Sequence, residues 1–231
     1  MHSVDNIALA DVSWMGRRII PSRFPPIQLF ERVVEPADLE VAFYIESLTN
    51  DRLRDEVGQL SLVSPEDRIS GPGSSPIMAA FTHIGVPSRF TDGTFGAYYA
   101  ASDSDTAIAE TAYHRAKFLA ATLEPDTRIY MREYVGEIIL PMHDITGSQF
   151  TELYDVNSYA NSQQFATKLK NDGSNGLLYN SVRNAGGLCV AAFKPKALSP
   201  VTQSAHYEYV YSARDKKISH VLEVKERNLK A

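Results

Sequence analysis

A cation, two aromatic rings and a carboxylate follow one another in the stretch SRFTDGTFGAYYAASDSDTAIAETAYH, residues 88–114. They are Arg89, Tyr98, Tyr99 and Glu110, and they flank a glycine-containing turn and the start of a predicted helix. An exposed ring beside a cation suits a flat or cationic ring ligand, although it is equally at home in ordinary packing. An Arg89–Glu110 ion pair inside the fold is as compatible with the sequence as a catalytic role. The residue types therefore leave two hypotheses open, a binding site and a structural ion pair.

A second group of polar residues lies in NDGSNGLLYNSVRNAGG, residues 171–187. Asn180 and Ser181 end an apolar predicted strand, and polar side chains at strand ends can face a cleft while the strand is buried. A plain turn is the alternative, because Asn, Ser and Gly end many strands. No Gly-x-Ser-x-Gly motif surrounds Ser181, so we interpret it as a hydrogen-bonding residue and not as a nucleophile.

Other common site chemistries lack their motifs in this chain. Glu110 and His114 share a helix face, but no third ligand is placed beside them and nothing resembles His-Glu-x-x-His, so we expect no metal site. The single cysteine, Cys189, excludes an internal disulfide and a cysteine-based zinc site, and we predict that it is buried. The segment GPGSSP is neither a dinucleotide fingerprint nor a Walker A loop.

The composition is that of an ordinary globular protein. The chain has 231 residues, is 44% hydrophobic and carries a formal net charge of −5. This charge does not favour direct nucleic-acid binding. No secretory signal pattern opens the chain, and no stretch approaches the roughly 20 apolar residues that span a bilayer. We therefore expect a soluble, cytoplasmic protein.

The two polar groups need a sheet and a helix to hold them. TFGAYYAAS predicts a strand, on which Tyr98 and Tyr99 point to opposite faces, and SDSDTAIAETAYHRAKFLAAT predicts the following helix with an N-cap among residues 102–105. RIYMREYVGEIILP, NGLLYNS and GLCVAAF predict strands, and SYANSQQFATKLKNDG predicts a helix closed by Gly173. The final HYEYVYSARDKKISHVLEV predicts a hairpin. Strands and helices do not alternate strictly, which favours an α+β fold with a mixed, mostly antiparallel sheet and flanking helices.

The first third of the chain is less regular. We assign residues 1–26 as an N-terminal extension and residues 27–231 as a single domain. QLFERVV predicts a short strand, residues 36–57 a helical insert, and residues 69–76 a loop. PIMAAFTHI fits either a strand or a helix.

Taken in order, these residues resemble the RES domain family, which is named for its Arg, Glu and Ser. Arg89, Tyr99 and Glu110 are spaced 10 and 11 residues apart, as in the family motif. Ser181 follows the Gly-aliphatic-Tyr strand, and a further family arginine corresponds to Arg32 in LFERVV. The chain differs from many members in carrying SRFTDG where they have a Gly-Gly-Arg-Trp-Asn-like segment.

This resemblance implies an ADP-ribosyltransferase-like fold and NAD+ as the substrate, without a further cofactor. The family's members are toxins that destroy NAD+ by hydrolysis or phosphorolysis, with inorganic phosphate as a possible co-substrate. By resemblance, Glu110, Arg89 and Tyr99 are the catalytic residues. Arg32, Tyr98, Asn180 and Ser181 are the substrate-binding residues.

Three further expectations accompany the resemblance. The partner is an Xre-type helix-turn-helix antitoxin, in a toxin–antitoxin assembly that could include a homodimer. One alternative is a protein ADP-ribosyltransferase with a specific macromolecular target. The other is a non-catalytic nucleotide-binding module in which Arg89 and Glu110 form a structural ion pair.

Overall fold

The computed structural model describes residues 7–22 and 58–225, which form an α+β fold around one nine-stranded sheet. The strands are β1 (Leu9–Ala10), β2 (Met15–Pro21), β3 (Tyr98–Ala101), β4 (Thr127–Glu137), β5 (Met142–Asp144), β6 (Gly176–Asn180), β7 (Leu188–Ala192), β8 (Thr202–Ser212) and β9 (Lys217–Val224). Their spatial order is β1-β5-β6-β7-β3-β2-β4-β8-β9.

The pairing of these strands is mixed and mostly antiparallel, which confirms the predicted fold class. β5 and β6 run parallel, whereas every other neighbouring pair in the sheet is antiparallel. β8 and β9 form the predicted C-terminal hairpin, in which His206 is opposite Val224. β6 and β7 form a second antiparallel pair, and the turn between them contains Ser181.

Three α-helices flank the sheet in the described part of the chain: α1 (Ser75–Thr82), α2 (Ser104–Ala121) and α3 (Ala160–Asn171). Short 3-10 segments cover Leu60–Leu62, Pro65–Asp67, Ser148–Tyr154 and Pro195–Ala197. The ambiguous PIMAAFTHI segment is helical, because Pro76 suits a first helical turn and the helix buries Ile77, Met78 and Phe81. α2 and α3 lie where the sequence predicts them.

Two strands of the sheet, Leu9–Ala10 and Met15–Pro21, come from the segment that we assign as an N-terminal extension. β2 lies between β3 and β4, and Arg17 is opposite both Ala101 and Val135. Pairing between such distant parts of the chain has no local signature, since it depends on tertiary contacts. The predicted strand QLFERVV with Arg32, and the predicted helix within 36–57, lie outside the described residues.

The two faces of the sheet bury different clusters. Tyr98 packs on one face with Ile77, Met78 and Val190. Tyr99 packs on the other, against a cluster that includes Tyr179, Cys189 and Ala107 of α2. The two tyrosines therefore point to opposite faces, as predicted, and Tyr99 is on the face that α2 covers. No helix in the described ranges is long and apolar enough to cross a membrane.

Candidate functional site

The central contact of the candidate site joins α2 to the end of β6. The Ser181 hydroxyl donates a hydrogen bond to Glu110 Oε1 over 2.6 Å. Glu110 is half-buried, as is Ser181. A hydrogen bond to a carboxylate is short and strong, so this contact holds one oxygen of Glu110 at a defined position.

Ser181 also shapes the turn in which it lies. Its hydroxyl oxygen accepts from the backbone amides of Arg183 at 3.1 Å and Asn184 at 3.0 Å. A hydroxyl has one donor and two acceptor sites, and all three are therefore occupied. Ser181 orients Glu110 and the turn, and its hydroxyl is not free to meet a ligand unless one of these contacts breaks.

A network of polar contacts ties this turn to the first turn of α2. Asn184 Nδ2 donates to Thr106 Oγ1 over 2.8 Å, and Thr106 Oγ1 donates to Asp103 Oδ2 over 2.8 Å. A Cβ added to Gly187 would lie 2.4 Å from Thr106 Oγ1, so glycine allows the turn to approach the helix this closely. These contacts between the turn and α2 fix the position of Ser181 relative to Glu110.

Asp103 is the N-cap of α2. Its Oδ1 accepts from the amide of Thr106 at 2.7 Å, and its Oδ2 accepts from the Ser102 hydroxyl at 2.8 Å. Burial raises the pKa of Asp103, but the hydrogen bonds from Thr106 and Ser102 outweigh burial and leave the pKa below its ordinary value. The ionised carboxylate thus caps the helix that carries Glu110.

Tyr99 holds the segment that carries Arg89. Its hydroxyl lies 2.7 Å from Ser88 Oγ and accepts from the Phe90 amide at 3.1 Å. Burial raises the pKa of Tyr99 above its ordinary value, so the ring is neutral at physiological pH. The residue predicted to meet a ligand is half-buried and fixes the backbone on both sides of Arg89.

Arg89 does not pair with Glu110. Arg89 is only 6% exposed, and its Nη1 donates to the carbonyls of Leu153 at 3.1 Å and Asp155 at 3.0 Å. The ion pairs within 4.0 Å in residues 7–22 and 58–225 do not include Arg89 with Glu110, so the alternative of a structural ion pair between them is not formed. Nη2 is buried and has no hydrogen-bond partner among the described residues.

Tyr179 is a further residue near these groups that was not singled out from the sequence. Its ring meets Phe90 edge-on with centroids 4.8 Å apart. Burial raises the pKa of Tyr179 well above its ordinary value; Cys189, Glu110 and Tyr99 raise it further, and Arg89 lowers it. Tyr179 is therefore within electrostatic reach of both Arg89 and Glu110.

Two predicted substrate-binding residues, Tyr98 and Asn180, make other contacts in the fold. Tyr98 is 1% exposed on the opposite face, with the Arg18 guanidinium 4.6 Å from its ring centroid. Alternation along β3 explains this, since only one of two consecutive side chains can face α2. Asn180 Nδ2 donates to the Thr146 carbonyl over 2.8 Å. Arg32 lies outside the described residues.

Two further residues named from the sequence are Cys189 and His114. Cys189 is buried, as predicted, at 2% exposure. His114 is exposed, and no group of three or more His, Cys, Asp or Glu side chains suited to a metal ion occurs within the described ranges. A surface groove of about 620 Å³ runs along α3 and Asp92, and none of the predicted site residues lines it.

Arg183 and Tyr113 are further neighbours that sequence reasoning missed. The Arg183 guanidinium carbon lies 3.4 Å from the centroid of the Tyr113 ring. Tyr113 follows Glu110 by three residues on α2, so both side chains are on one stripe of that helix. Only the pairing of this turn with α2 brings the two together.

Comparison with known proteins agrees with the motif. The RES domain model matches residues 65–212. A curated relative from Sinorhizobium fredii, the uncharacterized protein y4oC, is 28% identical over 212 residues, which cover 90% of this chain and 86% of the relative. The crystal structure of the M. tuberculosis MbcT–MbcA toxin–antitoxin complex aligns with a TM-score of 0.46 and 11% identity, over 92% of each chain.

Proposed function

Because the chain belongs to the RES domain family, we propose that it is a toxin that consumes NAD+ by cleaving its nicotinamide–ribose bond. The observation that carries this proposal is the Glu110 carboxylate, held at Oε1 by the Ser181 hydroxyl at 2.6 Å. Tyr99 and Tyr179 belong to one buried cluster, and Arg89 is within electrostatic reach of both. A fixed, half-buried carboxylate beside aromatic rings and a guanidinium suits a cationic, phosphorylated substrate.

The proposed reaction breaks the bond between ribose C1′ and the nicotinamide nitrogen. The bonding pair leaves with nicotinamide, which becomes neutral, and C1′ passes through an oxocarbenium-like state. Water or inorganic phosphate then forms the new bond to C1′, and the attacking water loses a proton. The Glu110 carboxylate stabilises the positive charge, holds the ribose hydroxyls or orients the attacking group.

The other residues bind and orient the dinucleotide. Arg89 and Arg32 contact the pyrophosphate, and the donor that Arg89 has left for it is Nη2, which is buried and has no hydrogen-bond partner among the described residues. Tyr99 lines the nicotinamide–ribose end. Ser181, whose hydroxyl is already committed to Glu110 and two amides, acts by positioning Glu110.

The proposal also includes an antitoxin as the protein's partner. By its family, the toxin would be neutralised in the cytoplasm by an Xre-type helix-turn-helix antitoxin that restricts access to the cleft. Co-purification with the product of a neighbouring open reading frame of that class would support this pairing.

The test is consumption of NAD+ by the purified protein, with and without inorganic phosphate. Loss of NAD+ with release of nicotinamide, abolished by Glu110→Gln, is the expected result. Glu124→Gln is the matched control, because it makes the same chemical change at an exposed position beyond the end of α2. Dependence on phosphate would select phosphorolysis.

Two other outcomes would change the assignment. Labelled ADP-ribose recovered on a protein would select transfer to a macromolecule. Intact NAD+ under every condition, with folded protein free of antitoxin, would refute the degradation proposal.

A further inference from the structure

Arg183 is fixed to the same polar group as Glu110. Its backbone amide donates to Ser181 Oγ at 3.1 Å, and that hydroxyl donates to Glu110. The turn is closed by the Gly187 amide, which donates to the Asn184 carbonyl at 3.0 Å, and by the Ser181 amide, which donates to the Gly187 carbonyl at 2.8 Å. The main chain of Arg183 is thus positioned by the candidate site itself.

The side chain of Arg183 extends along α2, over the ring of Tyr113. The distance from its guanidinium carbon to the ring centroid is 3.4 Å, which is a stacked cation–π contact. Tyr113 is three residues after Glu110, or about 5 Å along the helix axis. Stacking uses the flat face of the guanidinium and leaves its edge, which carries the N–H groups, free for hydrogen bonds.

Most of those N–H groups are uncommitted. Nη2 reaches the Val156 carbonyl only at 3.5 Å, and Nε is buried and has no hydrogen-bond partner within the described ranges. The ion pairs found in those ranges do not include Arg183. Arg89 differs, since its Nη1 is taken up by two carbonyls. Arg183 is therefore a partly buried cation with no ion-pair partner in those ranges, and it stacks on a ring that lies about one helical turn from Glu110.

We propose that Arg183 is a further substrate-binding residue, which contacts the pyrophosphate of the dinucleotide through its Nη groups while its face stays on Tyr113. A guanidinium edge matches two phosphate oxygens, and the ring limits its freedom before the ligand arrives. The inference rests on the proposed function, because it is the dinucleotide substrate that supplies the pyrophosphate.

The test compares ADP, which carries a pyrophosphate, with adenosine, which does not. Calorimetric titration of the full-length protein should give a Kd for ADP that rises about tenfold or more in Arg183→Gln, while adenosine binding is unchanged. Arg183→Lys keeps the charge without the two-pronged edge and should fall between wild type and Arg183→Gln. Arg115→Gln is the matched control, since Arg115 also stacks on a ring of α2, that of Phe118, at 5.7 Å.

Kinetics give a second measurement. Arg183→Gln should raise KM for NAD+ more than it lowers kcat, and it should leave cleavage of nicotinamide riboside, which has no phosphate, unchanged. If Arg183→Gln does not fold, the same comparison is made with Arg183→Lys alone.

The outcomes distinguish a failure of this inference from a failure of the proposed function. If the protein consumes NAD+ but Arg183→Gln and Arg183→Lys retain wild-type KM and ADP affinity, the inference fails and the proposed function stands. If ADP binds through Arg183 while NAD+ stays intact, the phosphate site stands and the proposed function fails. No measurable ADP binding to wild type, or equal losses for ADP and adenosine, would also overturn the inference.

Discussion

The Ser181 hydroxyl lies 2.6 Å from Glu110 Oε1 and, at the same time, accepts from the amides of Arg183 and Asn184. One side chain therefore sets both the position of the carboxylate and the shape of the turn beside it. This double role means that a change at Ser181 affects stability and turnover together.

Ser181→Ala is expected to lower both the stability of the fold and the turnover of NAD+. The substitution leaves two amides and one carboxylate oxygen without their partner, and an unsatisfied buried group costs about 1–3 kcal/mol. Denaturant unfolding should show a loss in that range, and kcat for NAD+ should fall more than KM rises. Ser181→Thr keeps the hydroxyl and serves as the control. Wild-type kcat in Ser181→Ala would show that Glu110 needs no such support.

Tyr98→Phe and Tyr99→Phe are expected to differ in their effect on the free energy of unfolding, although the two residues are adjacent. The Tyr98 hydroxyl is buried without a hydrogen-bond partner among the described residues, so its removal should leave the free energy of unfolding unchanged or raise it by about 1 kcal/mol. Tyr99→Phe removes the contacts with Ser88 Oγ and the Phe90 amide and should destabilise the protein. Thermal unfolding and NAD+ turnover of both variants test this contrast. Equal effects would contradict the finding that the Tyr99 hydroxyl makes stabilising hydrogen bonds and the Tyr98 hydroxyl does not.

Arg89→Ala is expected to loosen the segment after the 3-10 helix Ser148–Tyr154. It removes the donor shared by the carbonyls of Leu153 and Asp155 and the guanidinium that stacks 4.6 Å from the Tyr159 centroid. Hydrogen exchange of residues 153–159 should accelerate more than that of α2. Arg89→Lys can donate to one carbonyl and should restore protection in part. Unchanged exchange in Arg89→Ala would show that the arginine does not hold this segment.

The lowered pKa of Asp103 predicts that the stability of the protein depends on pH. Its pKa is lowered in the folded state, and an unfolded aspartate titrates near 3.9. Its contribution is therefore fully present above about pH 3.9 and is lost as the pH falls through the lower folded pKa. Asp103→Asn, which can still cap the helix, should show a smaller loss of stability from pH 6 to pH 3 than wild type does. Identical pH profiles from chemical unfolding would contradict this assignment.

Short-range patterns in the sequence determined the elements that carry the site. The N-cap signal before α2, the apolar runs of β6 and β7, and the polar turn of the C-terminal hairpin all predicted structure where it occurs. These signals are local, because they arise from periodicity, capping and turn preferences within a few residues. The family resemblance is likewise a property of the sequence alone, since it depends on the order and spacing of Arg89, Tyr99, Glu110 and Ser181.

Tertiary structure decided which of those residues meet. Alternation along β3 puts Tyr98 and Tyr99 on opposite faces of the sheet but does not show which of them faces α2. The packing of the whole sheet decides that. The carbonyl partners of Arg89 lie 64 and 66 residues away, and the Arg183–Tyr113 stack joins a turn to a helix. β2 reached the centre of the sheet by pairing with strands far along the chain. Such contacts depend on long-range packing, which leaves no period or motif in the sequence to be read.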